Sequence, residues 1–302
     1  YTTYMDKNEV ADFYSLINSS YCGIGVTVQN NTDKNVIEIV GVFKDSPASK
    51  AGLSAGDVLT KVDGVAYSGE QLEEATSAIK GEEGTDVKVT VIKKDTGKET
   101  EYSVTRQNIE IESVGSDVIE GNIGYIGIAQ FATTTAAEFS KHLQDLLDKD
   151  VKGLVIDVRD NGGGVTDAVE SVVDNLIDKG LVIYYTSDKN NKKVYAYSKK
   201  DPVTDIPVVV LANKNSASAS EILIAALKEH KRATIVGEKS YGKGVVQQLI
   251  SMADGSAIKV TVEKYFTPNG VDIHKKGISP DYTVVLDDNA TTDTQLEKAI
   301  EL

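Results

Sequence analysis

The chain has 302 residues, 40% of them hydrophobic and 26% charged, which suits a folded protein of one large or two ordinary domains. Its formal net charge of −14 argues against a nucleic-acid binder, which needs basic patches to neutralise phosphates, and is read first as a solubility feature. The single cysteine, Cys22, excludes an internal disulfide and a cysteine-rich zinc site, and no apolar run approaches a membrane span.

The opening YTTYMDKNEV has no signal-peptide pattern and reads as a cut made inside a larger protein, which leaves the compartment open. Residues 1–20 are predicted to be a helical leader, the remnant of a longer N-terminal segment. From 21 to 107 the texture is of short alternating runs, GIGVTVQ, VIEIVGV, DVLTKVDG, DVKVTVIKK and ETEYSVTR, each patterned as a half-buried strand. SPASKAGL and QLEEATSAI between them have helical spacing, so this stretch is expected to be a small sheet-rich domain.

From 108 to 302 the runs become continuous and β-branched: NIGYIGIAQF, KGLVIDV, GLVIYYT, IPVVVLAN and RATIVGE. Such runs suit strands buried in mixed or parallel sheets. They alternate with helical segments, AAEFSKHLQDLLDKD, TDAVESVVDNLIDKG and SEILIAALKEHK, which predicts a layered α/β core. The expected fold class is therefore α/β and multi-domain.

Three loops follow three of these strands, where ligands of open α/β sheets collect. They are DVRDNGGG (157–164), NKNSASASE (213–221) and GEKSYGKGVVQQ (237–248). The third comes within one residue of a phosphate loop, since Gly237, Gly242 and Lys243 match it but Gly244 replaces the magnesium-binding Ser or Thr. A phosphate loop also runs into a helix, whereas VVQQLISM is strand-like. NGGG does not match a dinucleotide loop either.

Ser216, Ser218 and Ser220 alternate with alanines between a buried strand and a helix. Any one of them has a bland reading as a helix N-cap. A nucleophile placed there would also have helix amides beside it to stabilise an oxyanion. For a base there are His142 and His230, both read as surface residues, His274, the one serious histidine candidate, and Lys243. A lysine flanked by glycines, if buried, can lose enough of its basicity to act as a general base. Ser–Lys pairs are one variant of the serine-nucleophile plan.

In this order the blocks SASASE, GEKSYGKGVVQ, DVRDNGGG and YFTPNGVDIHKKGISPDYTV resemble the carboxyl-terminal processing, or tail-specific, proteases. These are Ser–Lys peptidases with an embedded PDZ domain, and YCGIGV and DSPASKAGLSAGDVLTKVDG resemble that PDZ domain. The likeness runs nearly end to end. It implies Ser218 as nucleophile, Lys243 as base and Gln247 as the residue orienting the lysine amine. It also implies the Ala219 amide as one oxyanion donor, with a glycine of NGGG as the second; Gly163 and Gly164 are both candidates. Asp157 and Arg159 are read as holding that loop in shape, and Glu221 and Glu229 as helix caps or supports of the lysine. Tyr21, Cys22, Gly23, Ile24 and Gly25 would form the loop that captures a chain-terminal carboxylate, the tail adding as a strand to a sheet edge.

The resemblance thus implies a serine endopeptidase acting near protein C-terminal tails, with no metal and no organic cofactor. It further implies protein or peptide substrates, assembly through terminal segments, and an extracytoplasmic setting for the full-length protein. The rival readings are an idle or latent PDZ scaffold that binds protein C-termini, and an esterase or amidase using the PDZ domain for localisation.

Overall fold

A computed structural model describes residues 2–286 and 292–302. The chain divides into two compact units, Ser20–Ile111 and the remainder, in which the residues up to Ser19 join Glu112–Leu302.

The smaller unit is built on a six-stranded antiparallel sheet. Val26–Asn31 forms one edge, followed by Val36–Val42, Val58–Val62, Asp86–Ile92 and Glu99–Thr105, and the short Val65–Ala66 pairs with Val58–Val62. The alternation seen in the sequence places Ile37, Ile39, Leu59, Val87, Val89 and Val104 on one buried face. The helices Pro47–Ala51 and Leu72–Ile79 add Ala48, Ala75 and Ile79 to that core. A short ribbon of Ser20–Gly23 and Gln107–Glu110 brings the ends of the unit together. Arg106 is buried and stops the second helix, donating from Nε to Ile79 O at 2.8 Å and from Nη2 to Ala78 O at 3.0 Å. A cation on orphan carbonyls at a helix C-terminus is favourable.

The larger unit has a six-stranded sheet in the order Val114–Ile119, Ile123–Ile128, Leu154–Asp157, Val208–Ala212, Thr234–Gly237, Tyr282–Thr283. Its first pair is antiparallel and the rest are parallel. Leu154–Asp157 and Val208–Ala212 are buried at every residue, as continuous β-branched runs in a doubly covered sheet should be. The helices Thr135–Leu147, Thr166–Val173 and Ala219–Glu229 pack into one large core, and Ala299 and Leu296 of the helix Thr294–Ile300 pack against Val155, Val209, Leu211 and Val236.

Three features differ from the sequence expectation. TDAVESVVDNLIDKG is helical only to Val173, because Asp174 turns its carboxylate onto Ser198 Oγ at 2.7 Å and the Lys200 amide at 3.2 Å. GLVIYYT, grouped with the mixed or parallel strands, lies instead in a second, antiparallel sheet. There Val182–Ser187 pairs with Lys193–Tyr197 on one side and Ala257–Phe266 on the other. Ala257–Phe266 also pairs with Val245–Ser251 and with Thr3–Met5. The leader is helical over Lys7–Asn18, capped by Asp6 and Glu9 in a reciprocal pair, but it opens as the strand Thr3–Met5.

Candidate active site

The strand Val208–Ala212 ends at the serine loop, and the structure separates the three serines. Ser216 is fully buried and donates from Oγ to Val158 O at 2.7 Å. Ser220 is also fully buried and donates to Asn161 O at 2.9 Å. Both hydroxyls therefore bind the serine loop to the neighbouring DVRDNGGG loop. Ser218 is half-buried and sits at the N-cap of the Ala219–Glu229 helix with φ 57° and ψ −115°. That backbone conformation is costly for a residue with a Cβ and persists only where its surroundings enforce it.

Much of the enforcement comes from Glu221, which is fully buried. Its Oε2 accepts the Ser218 amide at 3.0 Å and the Lys243 amide at 2.8 Å. Its Oε1 accepts Ser240 Oγ at 2.6 Å and the Gly242 amide at 2.7 Å. The capping reading of Glu221 is thus half of what it does, since the same carboxylate holds the lysine loop.

That loop leaves the strand Thr234–Gly237 and enters the strand Val245–Ser251 with no helix after Gly244. The helix N-terminus that a phosphate needs is absent there. The glycines have a steric explanation instead. A Cβ on Gly242 (φ +90°) would meet the amides of Gly277 and Lys276 at 2.8 and 2.9 Å, and one on Gly244 would meet the His274 amide at 2.9 Å. Between them the half-buried Lys243 has its ammonium pushed below the usual lysine range. Burial is the main cause, the charge of Lys259 adds to it, and Glu221 opposes both. Gln247 is half-buried on the strand Val245–Ser251, just beyond an irregularity in its pairing with Ala257–Phe266.

On the glycine loop, Gly163 (φ +103°) lies against Ser218. A Cβ there would come within 2.7 Å of Ser218 Cβ and 3.0 Å of the Ala219 amide nitrogen. Its own N–H donates to Asn161 Oδ1 at 2.8 Å. Gly164 (φ +143°) packs instead on Phe131, whose carbonyl would touch an added Cβ. Arg159 stabilises the start of the loop, pairing with Asp157 at 2.6 Å and with Asp293 at 2.8 Å. Tyr125 Oη donates to the same Asp157 at 2.8 Å.

His142 bonds Ser116 Oγ and His230 bonds Val182 O, both at 2.7 Å, so both are half-buried and occupied structurally. The backbone of His274 packs on Gly244.

In the smaller unit, the segment from Tyr21 to Gly25 leads from the ribbon into the edge strand Val26–Asn31. Ile24 O accepts the Ala48 amide at 2.8 Å and Gly25 O the Phe43 amide at 3.0 Å, which turns the carbonyls inward. Gly25 has φ +81°, and a Cβ on it would lie 2.4 Å from Ser46 Cβ. The helix Leu72–Ile79 packs beside the edge strand. Burial pushes the Cys22 thiol up, Glu83 adds to this and Arg106 opposes it, which is the opposite of an activated thiol.

Residues 122–284 match the sequence profile of peptidase family S41. The chain belongs to that family. Residues 22–104 match a PDZ domain, which is the smaller unit. Among curated relatives, the carboxy-terminal processing protease CtpB of Bacillus subtilis is 40% identical over 93% of this chain and 58% of its own length. The carboxy-terminal-processing protease of Bartonella bacilliformis is 36% identical over 94% of this chain and 66% of its own. This S41 chain therefore spans well short of the full length of those relatives. Among solved structures, the photosystem II D1 C-terminal processing protease is 31% identical, with a TM-score of 0.58 covering 100% of this chain and 81% of that one.

Within this S41 core the structure brings Ser218, Ala219, Gly163 and, through Glu221, the backbone of Lys243 to one place. No sequence argument singled out Tyr265, whose Oη donates to Ser218 O at 3.0 Å. Its only signal in the sequence is its position at the head of the YFTPNG block.

Proposed function

We propose that this chain is a serine endopeptidase that cuts proteins near their C-terminal tails by Ser–Lys catalysis. Ser218 Oγ attacks the scissile carbonyl carbon while Lys243 Nζ, in its neutral form, takes the hydroxyl proton. The lysine then gives that proton to the leaving amine, and a water activated in the same way hydrolyses the acyl ester. Gln247 orients the lysine amine. The Ala219 N–H is one oxyanion donor. Gly163 and Gly164 both remain candidates for the other, and Gly163 has to exchange Asn161 Oδ1 for the oxyanion.

One observation carries this reading. Of three alternating serines, two are buried and spend their hydroxyls on the neighbouring loop, while the third is half-buried, strained and clamped to the lysine loop. An idle scaffold has no use for that division.

The loop from Tyr21 to Gly25 would capture the tail carboxylate, with the tail adding as a strand to the free edge of Val26–Asn31 beside the helix Leu72–Ile79. Substrates are then proteins or peptides with free C-termini. The full-length protein acts outside the cytoplasm on this reading, as expected from the resemblance. Among the described residues no helix is long and apolar enough to cross a membrane.

The test is cleavage of an unfolded protein with a free apolar tail, compared with the same protein amidated at its C-terminus. Ser218→Ala and Lys243→Ala should both abolish cutting, and amidation should slow it. Cutting that survives Lys243→Ala removes the dyad and brings His274 forward. Tail binding without any cutting by the intact chain would favour the latent scaffold.

A further inference from the structure

We infer that Tyr265 is a positioning residue whose hydroxyl fixes the plane of the Ser218–Ala219 peptide and thereby aims the Ala219 N–H at the developing oxyanion. The inference rests on the reading of Ser218 as nucleophile and adds to it a residue that acts through the Ser218 carbonyl.

The Ser218 carbonyl accepts three hydrogen bonds, from the Glu221 amide at 2.9 Å, the Ile222 amide at 3.1 Å and Tyr265 Oη at 3.0 Å. The first two are the ordinary start of a helix. The third comes from the other sheet, from the strand Ala257–Phe266. A peptide unit is planar and trans, so its C=O and the following N–H point in opposite directions. Whatever fixes the direction of the Ser218 carbonyl therefore fixes the direction of the Ala219 N–H. This matters because Ser218 has φ 57° and ψ −115°, outside the wells that would hold the peptide unaided.

Tyr265 is itself immobilised. The residue is 2% exposed, and its ring meets that of Tyr184 edge-on at 6.4 Å. Its backbone N–H donates to Gly244 O at 3.2 Å, beside Lys243. Burial, and after it the charge of Glu221 and its hydrogen bonding with the phenol, keep Tyr265 protonated far above its ordinary range, so it stays a donor at any working pH. Tyr265 thus ties the peptide after the nucleophile to the loop that carries the base.

The experiment is the rate at which a fluorophosphonate labels Ser218, whose phosphonyl oxygen occupies the oxyanion position, measured across pH in the intact chain and its variants. Tyr265→Phe removes only the hydroxyl. It should label about tenfold more slowly while reaching the same final labelled fraction, with the pH midpoint unchanged and a peptide KM within about twofold. Tyr184→Phe removes a buried hydroxyl from the same sheet without touching Ser218, and should label at the parent rate. The final labelled fraction counts competent molecules, so partial misfolding does not mimic the effect. Labelling of Tyr265→Phe within about twofold of the parent would overturn the inference. So would equal slowing in Tyr184→Phe, or a loss that travels with a shifted pH midpoint, which would mean that Tyr265 acts through the lysine. A parent that does not label, or a Ser218→Ala variant that labels as the parent does, would overturn the nucleophile assignment instead and is told apart by that control.

Discussion

Ser218 and Lys243 are joined at the backbone through a single oxygen, Oε2 of Glu221, at 3.0 and 2.8 Å. Neither amide depends on a side chain of the other residue, so on the proposed function the spacing of nucleophile and base is set before any proton moves. Glu221→Gln keeps the shape, removes the charge and turns one acceptor into a donor facing N–H groups. It should cost about 3 kcal/mol, read by urea unfolding, because buried donors lose a charged partner. Proteolysis should fall about a hundredfold beyond what the unfolded fraction explains. Full activity with intact stability would remove Glu221 from the design.

The rate should rise with pH. A general base works in its neutral form, and burial together with Lys259 lowers the point at which Lys243 loses its proton. The Ser218 labelling rate should therefore climb to a plateau with its midpoint below the free-lysine value of about 10.4. Lys259→Gln removes a repelling charge, so the midpoint should move to higher pH and the rate at neutral pH should drop. Glu221→Gln removes an attracting charge and should move the midpoint the other way. Opposite shifts would disprove the assignment of the limb to Lys243.

Gly25→Ala tests the proposed tail-binding loop. The new Cβ would lie 2.4 Å from Ser46 Cβ, on a backbone at φ +81°, for a strain of about 1–3 kcal/mol. Anisotropy of a labelled peptide with a free carboxylate should report at least about tenfold weaker binding. Turnover of a short peptide too small to reach the loop should stay at the parent value.

Arg159→Gln should destabilise the larger unit by about 3 kcal/mol, seen as a lowered Tm, since it leaves the buried Asp157 and the partly buried Asp293 short of their cation. The pH dependence gives a second check. Burial alone would raise the Asp293 carboxyl, but its bonds to Arg159 and to the Leu296 amide outweigh this and hold it low. Its contribution to stability is therefore present above the unfolded value of about pH 4 and lost as pH falls through the lower folded value. In Arg159→Gln that acid loss should be blunted.

What was legible in the sequence was what has a local reason. A lysine between two glycines has a steric meaning, and the contacts of Gly242 and Gly244 with residues 274–277 supply it. Alternating strands of the smaller unit and the all-buried runs Leu154–Asp157 and Val208–Ala212 follow from period and burial. Hidden from the sequence were pairings between distant residues. Nothing local to GLVIYYT says that it lies between KVYAY and AIKVTVEKYF in a separate antiparallel sheet. Glu221 reads in sequence as a cap or as a support of the lysine, and nothing local shows that it is both, because the loop it also holds comes some twenty residues later in the chain. Tyr265 had no local reason to be noticed, and the capture of the Gly163 amide by Asn161 needs the turn itself.

The strand Thr3–Met5 has its partner at Ala257–Lys259, and the whole PDZ unit lies in the chain between them. During synthesis Thr3–Met5 must wait for Ala257–Lys259, while Ser20–Ile111 can close its own core as soon as it is out. Long-range pairings of this kind are slow to form, because loop entropy is spent before any contact is made. The tail-reading module would then be finished before the cutting module exists. On the proposed function, a nascent chain would be able to recognise a C-terminus before it is able to harm one.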